Sequence, residues 1–299
     1  MGAWRCVRTQ LRGPDAVTMG TRGRAFVAYV WSSASLGARV ARITGAPLSW
    51  VFGAIVACRN AWYDARERTG EIPVPALPAL SVGNLTVGGT GKTPVASWFV
   101  SRLRAGGASP ALVLRGYGDD EWRVHGLLTP GIPVVVAPAR AVGMATAQSK
   151  QCDCAVLDDA FQHRQVARTV DIVLVSADAW QSPVRLLPVG PFREPLTSLN
   201  RASVAVITVK AASAQAVAAV REAIRIVAPT VPIALVRLAP DGIRLAATIA
   251  GREGEAGPRG FAHDMAWLRG RPLLLVSAIA DPAALRRQIE AAGGIVRHH

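Results

Sequence analysis

The sequence predicts an α/β fold: a doubly wound, mostly parallel sheet with N-terminal helices suited to a membrane interface. Three observations lead there. From residue 79 onward, short Val-rich apolar runs alternate with helical stretches, the pattern of strands buried on both faces of a parallel sheet. A Gly-rich segment ending in Gly91-Lys92-Thr93 sits between the first of these runs and a helix, which makes the fold P-loop NTPase-like. Ahead of both, residues 25–70 combine apolar helical stripes with arginine and tryptophan.

With 299 residues, 51% hydrophobic and 18% charged, the chain is large enough for one large α/β domain or two smaller ones, and disorder is not its default. Cys6, Cys58, Cys152 and Cys154 are too few and too irregular for a disulfide framework, and Cys152-x-Cys154 lacks a second pair of metal ligands. They read as reduced thiols of a cytosolic protein. The formal charge of +14 points to an anionic partner: nucleic acid, a phospholipid surface or a phosphorylated substrate. Residues 1–70 hold ten arginines against Asp15, Asp64 and Glu67, a local +7. Lysine is nearly absent, with only Lys92, Lys150 and Lys210.

Residues 1–24 read as a disordered or mis-started leader, with Met19 the expected true start. Phe26, Val30, Ser33, Leu36, Val40 and Ile43 recur at helical spacing, and a second helix is expected to begin at Pro47, a favourable first-turn residue. The uncharged run Ile43 to Cys58 is 16 residues, short of the ~20 that a spanning helix needs. A helical pair lying in a membrane interface fits residues 25–70; the competing reading is a core-facing hairpin of a soluble protein. After the Pro-rich linker at 72–78, strands are expected at 79–82, 111–114, 132–137, 154–157, 171–175, 202–209, 233–236 and 273–276. Helices are expected near Thr93, after an N-cap at Ser213, and from Pro282 to Ala292. This divides the chain into a core at 79–210 and a C-terminal α/β portion at 211–299.

Four clusters carry chemistry. The strongest is Ser81-Val82-Gly83-Asn84-Leu85-Thr86-Val87-Gly88-Gly89-Thr90-Gly91-Lys92-Thr93-Pro94. Glycines let successive backbone N–H groups point into one concavity, and the following helix adds its positive end. Lys92 then reaches the terminal phosphates and the Thr93 hydroxyl binds Mg²⁺, so Thr86, Val87, Gly88, Gly89, Thr90, Gly91, Lys92 and Thr93 are the expected nucleotide-binding residues. The usual pattern has Gly where Thr86 stands, so the loop is a variant form. Next, Ala155-Val156-Leu157 ends in Asp158-Asp159. Alone, such a pair reads as a solvated turn or cap; at the carboxyl end of a strand beside a phosphate loop, the reading as a Mg²⁺ ligand overtakes it. Third, Arg115-Gly116-Tyr117-Gly118-Asp119-Asp120-Glu121 follows another apolar run and offers a carboxylate to accept a substrate hydroxyl's proton. Fourth, the rigid stretch Gly190-Pro191-Phe192-Arg193-Glu194-Pro195 presents Arg193, either to clamp a phosphate or to pair with Glu194 on the surface. His125, His163 and His263 lack metal-ligand spacing and read as structural.

In this order the four clusters resemble the tetraacyldisaccharide 4'-kinase family, from about Pro47 to Val296, with Leu48-Ser49-Trp50 and Gln162-His163 also shared. The resemblance implies ATP and Mg²⁺ as reagents. It implies transfer of the γ-phosphate to the 4'-hydroxyl of a tetraacyldisaccharide 1-phosphate, the lipid A precursor, giving lipid IVA. It also implies a seat on the cytoplasmic face of the bacterial inner membrane. A nucleic-acid-binding module, which the +14 charge would also suit, is not expected, since no groove-reading helix or stacking-aromatic motif is apparent. By the same resemblance Asp120 is the catalytic proton acceptor, with Asp119 competing, and Lys92 acts on the phosphates. Arg115, Tyr117, His163 and Arg193 bind substrate, and Thr93 with Asp158 or Asp159 takes the metal. Three departures from the family stand out. Ala160 follows the aspartate pair where relatives have Gly, and the loop from Tyr117 to Asp120 is short. The chain also ends before a family Asp-His pair, so C-terminal truncation is expected, with Gly293-Gly294-Ile295-Val296 read as the start of a further strand. The alternatives are a partitioning or metal-insertion ATPase, whose loops carry an earlier lysine that this chain lacks before Lys92, and a catalytically impaired membrane-bound nucleotide-binding scaffold.

Overall fold

The computed structural model describes residues 21–116, 121–243, 263–277, 279 and 281–298. Two helices, α1 (Thr21–Ser32) and α2 (Leu36–Arg68), precede a seven-stranded parallel sheet. Its strands are β1 (Ala79–Asn84), β2 (Pro110–Leu114), β3 (Val134–Val136), β4 (Cys154–Asp158), β5 (Val170–Ser176), β6 (Val204–Val209) and β7 (Ile233–Arg237). Their spatial order is β3-β2-β4-β1-β5-β6-β7, and α3 (Lys92–Ala105), α4 (Glu121–Leu128), α5 (Arg140–Ser149) and α6 (Ala214–Val227) lie in the crossovers.

Strand periodicity explains the layers. Val82, Leu112, Leu114 and Val156 pack on Val95, Ala96 and Val100 of α3. The alternate residues Ala111, Val113, Ala155 and Leu157 pack on Met144 and Ala147 of α5. Both faces are therefore dry, as the Val-rich runs required. Further along the sheet, Val173, Val175, Ala205 and Ile207 pack on Val220 and Ile224 of α6. Pairing of Ala205 with Ile233 adds β7 to this sheet, so the sheet continues past residue 210, where the sequence suggested the core ends.

The eighth expected strand is not in the main sheet. Instead β8 (Pro272–Leu274) pairs in parallel with β9 (Ile295–His298), joined through α7 (Pro282–Ala291). The strand expected from the Gly293–Val296 stretch is thus Ile295–His298, with β8 as its partner and the two glycines ahead of it.

The helix boundary expected at Pro47 also needs correcting: the break falls at residues 33–35, and α2 runs through the proline. Ser35 caps α2 by accepting the Ala38 N–H at 3.3 Å. The Arg42 guanidinium donates to the Val30 and Ser33 carbonyls at 2.6 and 2.9 Å, closing the end of α1. Pro47 does remove the N–H that would meet the Ile43 carbonyl. Tertiary contacts offset that loss: Ser49 donates to the Leu186 carbonyl at 3.1 Å, and a Cβ on Gly45 would lie 2.6 Å from Val189 Cγ1.

The continuous helix is long and apolar enough to cross a membrane by length and composition. Its packing is asymmetric. At about 100° per residue, Ala38, Gly45, Ser49, Val56 and Tyr63 share one side, which lies against the core. Leu36, Val40, Ile43, Val51, Ile55 and Trp62 share the opposite side and are exposed. The small residues face the protein and the large apolar ones face outward, the reverse of a soluble amphipathic helix.

Candidate active site

Because β2, β4 and β1 are neighbours, the segments leaving their carboxyl ends converge. β1 runs into the Gly-rich loop, β4 into Asp159 and β2 into Arg115, and the pairing of Val82 with Asp158 sets the acids beside the loop. A cavity of about 750 Å³ opens there. Gly89 to Pro94, Arg115, Arg140, Asp158, Asp159 and Lys210 line its polar side, and Leu238 to Pro240, Ile279 and Leu285 its apolar side.

Gly88 (φ 116°) and Gly91 (φ 88°) occupy the left-handed region that glycine adopts without strain. Gly91 has a second reason to be glycine: an added Cβ would lie 2.2 Å from Leu238 Cδ1. The α3 N-terminus has no side-chain cap, so its first N–H groups face the cavity as anion donors. Thr86, at the position usually held by Gly, bridges to Phe192, while its carbonyl accepts from Arg193 and Val87 N–H donates to Pro191 O at 2.8 Å. The Thr90 hydroxyl turns inward and accepts from Asn84 Nδ2 at 2.9 Å.

Asp159 has φ 48°, uncommon for a residue with a side chain and costing of order 1–3 kcal/mol. That turn puts its carboxylate 3.8 Å from Lys92 Nζ and 3.5 Å from Arg193 Nη1. Asp158 is held differently. Its Oδ2 lies 2.8 Å from His125 Nε2, and His125 Nδ1 lies 3.0 Å from Ser97 Oγ, while the Arg140 guanidinium donates to the Asp158 carbonyl. The Oδ1 atoms of both acids are buried without a hydrogen-bond partner. Asp158 and Asp159 line the same cavity as Thr93, and oxygen donors of this kind suit a hard divalent cation. Among the described residues no group of three or more His, Cys, Asp or Glu is placed to hold a metal ion.

Burial, with Arg140 and Arg115 nearby, drives the His163 imidazole down to about 4; Asp159 opposes the shift and Arg59 adds to it. His163 is therefore a neutral donor or acceptor beside a cationic cluster.

A family model described as LpxK, tetraacyldisaccharide-1-P 4'-kinase, matches residues 41–131 and 126–299. A tetraacyldisaccharide 4'-kinase of Anaeromyxobacter sp. (strain K) is 34% identical over 283 residues, covering 85% of this chain and 71% of that protein. The chain belongs to the tetraacyldisaccharide 4'-kinase family. A second relative of that name, from Chlorobaculum parvum, is 36% identical over 189 residues, and the match spans 54% of this chain and about half (52%) of the relative. The fold agrees with the crystal structure of LpxK from Aquifex aeolicus in complex with ATP, with a TM-score of 0.64 at 24% identity over 86% of this chain and 80% of that one.

Within this family frame, the structure brings Gly89 to Thr93, Arg115, Asp158 and Asp159 around one cavity, with Arg193 against Asp159. Of the two readings open for Arg193, surface pairing with Glu194 is corrected. Glu194 is 1% exposed and accepts from Asn60 and Arg201, whereas Arg193 Nη2 donates to Asn84 Oδ1 at 2.8 Å. Tyr117, Asp119 and Asp120 lie outside the described residues. Sequence reading missed Arg140, Lys210 and the Ser97–His125 pair. Lys210 carried a usable signal, as one of only three lysines in an arginine-rich chain. His125 carried none, because α4 brings it to Asp158 across 33 residues of sequence.

Proposed function

We propose that this chain transfers the γ-phosphate of ATP to the 4'-hydroxyl of a tetraacyldisaccharide 1-phosphate, at the cytoplasmic face of the bacterial inner membrane. One observation carries the reading: an uncapped helix N-terminus, Lys92 and two aspartates with orphaned oxygens face a single cavity. The phosphates take the loop N–H groups and Lys92, and Thr93 with Asp158 and Asp159 holds Mg²⁺, whose charge offsets that of the phosphates. Lys92 and Arg193 lie near different carboxylate oxygens of Asp159, and Arg193 is proposed to meet charge on the transferred group. Asp120 is the proposed proton acceptor; Arg115 and Glu121, which flank its segment, both line the cavity. Tyr117, Arg115 and neutral His163 are proposed to bind the phosphorylated sugar.

The outward apolar stripe of α2 supports a membrane seat, since a tetraacylated lipid leaves the bilayer at about 0.8 kcal/mol per CH₂. The test is transfer of label from [γ-³²P]ATP to the tetraacyldisaccharide 1-phosphate in detergent micelles. Labelled lipid from the parent and none from Lys92→Ala is the expected result. Asp120→Ala turning over at near-parental rates removes Asp120 as the base.

A further inference from the structure

An anion cradle made of backbone has an electrostatic difficulty. Each peptide unit that offers an N–H also carries a carbonyl oxygen, and any carbonyl turned inward repels the phosphate. The Gly88–Gly91 segment has four such oxygens, and all four are engaged. The Gly88 carbonyl accepts from Thr90 N at 3.1 Å, and the Gly91 carbonyl from Val95 N at 3.2 Å, the first turn of α3. These two are local. The middle two are not: Gly89 O accepts from Lys210 Nζ at 2.9 Å, and Thr90 O from Thr208 Oγ1 at 2.9 Å.

We infer that Thr208 and Lys210, at the end of β6, are positioning residues that hold the loop's carbonyls away from the cavity and so preset it for polyphosphate. The inference rests on the phosphate-loop reading proposed above. A trans peptide directs its N–H opposite to its C=O, so fixing Thr90 O on Thr208 aims the Gly91 N–H the other way, toward the N–H groups that open α3. Thr208 is 1% exposed, so its hydroxyl has no solvent to compete for it.

The clamp is itself held. Asp178 carboxylate oxygens accept the Lys210 and Ala211 N–H groups at 2.7 Å each, and Gln288 of α7 donates to the Lys210 carbonyl at 3.2 Å. Asp281 lies 3.7 Å from Lys210 Nζ and offsets its charge. Lysine suits the position because an ammonium is a compact point charge with three donors, able to satisfy a carbonyl and a carboxylate together. Two of the chain's three lysines thus converge on one loop.

The experiment measures dissociation constants by calorimetry for magnesium tripolyphosphate, for ATP and for adenosine. It compares the full chain with Lys210→Met, Lys210→Arg, Thr208→Val and Thr208→Ser. The expected result is that Lys210→Met and the isosteric Thr208→Val weaken tripolyphosphate and ATP by roughly tenfold or more. Adenosine affinity stays unchanged, and Thr208→Ser and, in part, Lys210→Arg restore binding. In turnover the Lys210→Met loss falls on KM for ATP more than on kcat. Tripolyphosphate binding indifferent to both residues overturns the inference alone. An equal loss for adenosine also overturns it, since Lys210 then supports the base or the general packing. A parent chain that binds no tripolyphosphate overturns the phosphate-loop reading itself, and this inference with it.

Discussion

Asp158 and Asp159 are adjacent in sequence, yet the structure holds them by opposite means. Asp159 is exposed to two cations, whereas Asp158 is fixed from behind by His125, which is 0% exposed. A histidine that bonds a metal-binding carboxylate orients it, and losing such a partner typically costs 10–100-fold in metal affinity. His125→Ala is therefore expected to raise the Mg²⁺ concentration for half-maximal turnover by about tenfold to a hundredfold, read from a Mg²⁺ titration, while saturating Mg²⁺ restores most of kcat. Asp159→Asn keeps a residue that tolerates left-handed backbone, so lost turnover without lost stability is expected from paired activity and melting measurements. His163 gives a pH test. Its folded value, about 4, lies below the ordinary 6.5, so the unfolded chain binds the proton first. Stability from this group is thus present above about 6.5 and lost as pH falls toward 4. The His163 ring resonance in NMR is expected to show no titration between pH 7 and 5.5. The loop and both acids were legible at this scale because their chemistry is contiguous in sequence. The Ser97–His125–Asp158 chain was not, because a sheet crossover assembles it.

At the scale of elements, α2 is fastened along its length by polar anchors. Arg164 is 0% exposed and donates to Asp64 at 2.6 Å and to the Asn60 carbonyl at 3.2 Å, with Glu67 at 2.8 Å. The burial is one-sided, since the two acids are about half exposed (52% and 45%). Removing both charges leaves the buried cation with neutral acceptors only, so Asp64→Asn with Glu67→Gln is expected to cost about 1–3 kcal/mol. Arg164→Met, which removes the buried charge itself, is expected to cost less; urea unfolding of the two variants ranks them. Sequence periodicity found this helix but misplaced its break. Proline at Pro47 was a valid start signal, and the contacts that favour a continuous helix there come from residues 186–189, some 140 positions away. Strand positions were readable because burial on both faces leaves uninterrupted apolar runs. The β8–β9 pair was missed as a separate sheet because nothing local distinguishes such a strand from one in the core.

For the molecule as a whole, the sheet fixes where the cavity lies, and the outer stripe of α2 supports the proposed membrane seat. Ile43 and Trp50 are each 73% exposed on the outer stripe, so Ile43→Asp with Trp50→Glu is expected to abolish sedimentation with phospholipid vesicles. The same pair should change unfolding free energy by no more than about 0.5 kcal/mol per substitution. The small-residue face of α2 has a kinetic consequence. Gly45 and Ser49 pressed against residues 186–189 fix α2 to the body of the protein, and under the proposed membrane seat enzyme and lipid substrate meet in two dimensions. Its rate should then follow the mole fraction of lipid substrate in the surface. Adding inert detergent at constant bulk substrate is expected to slow turnover by surface dilution.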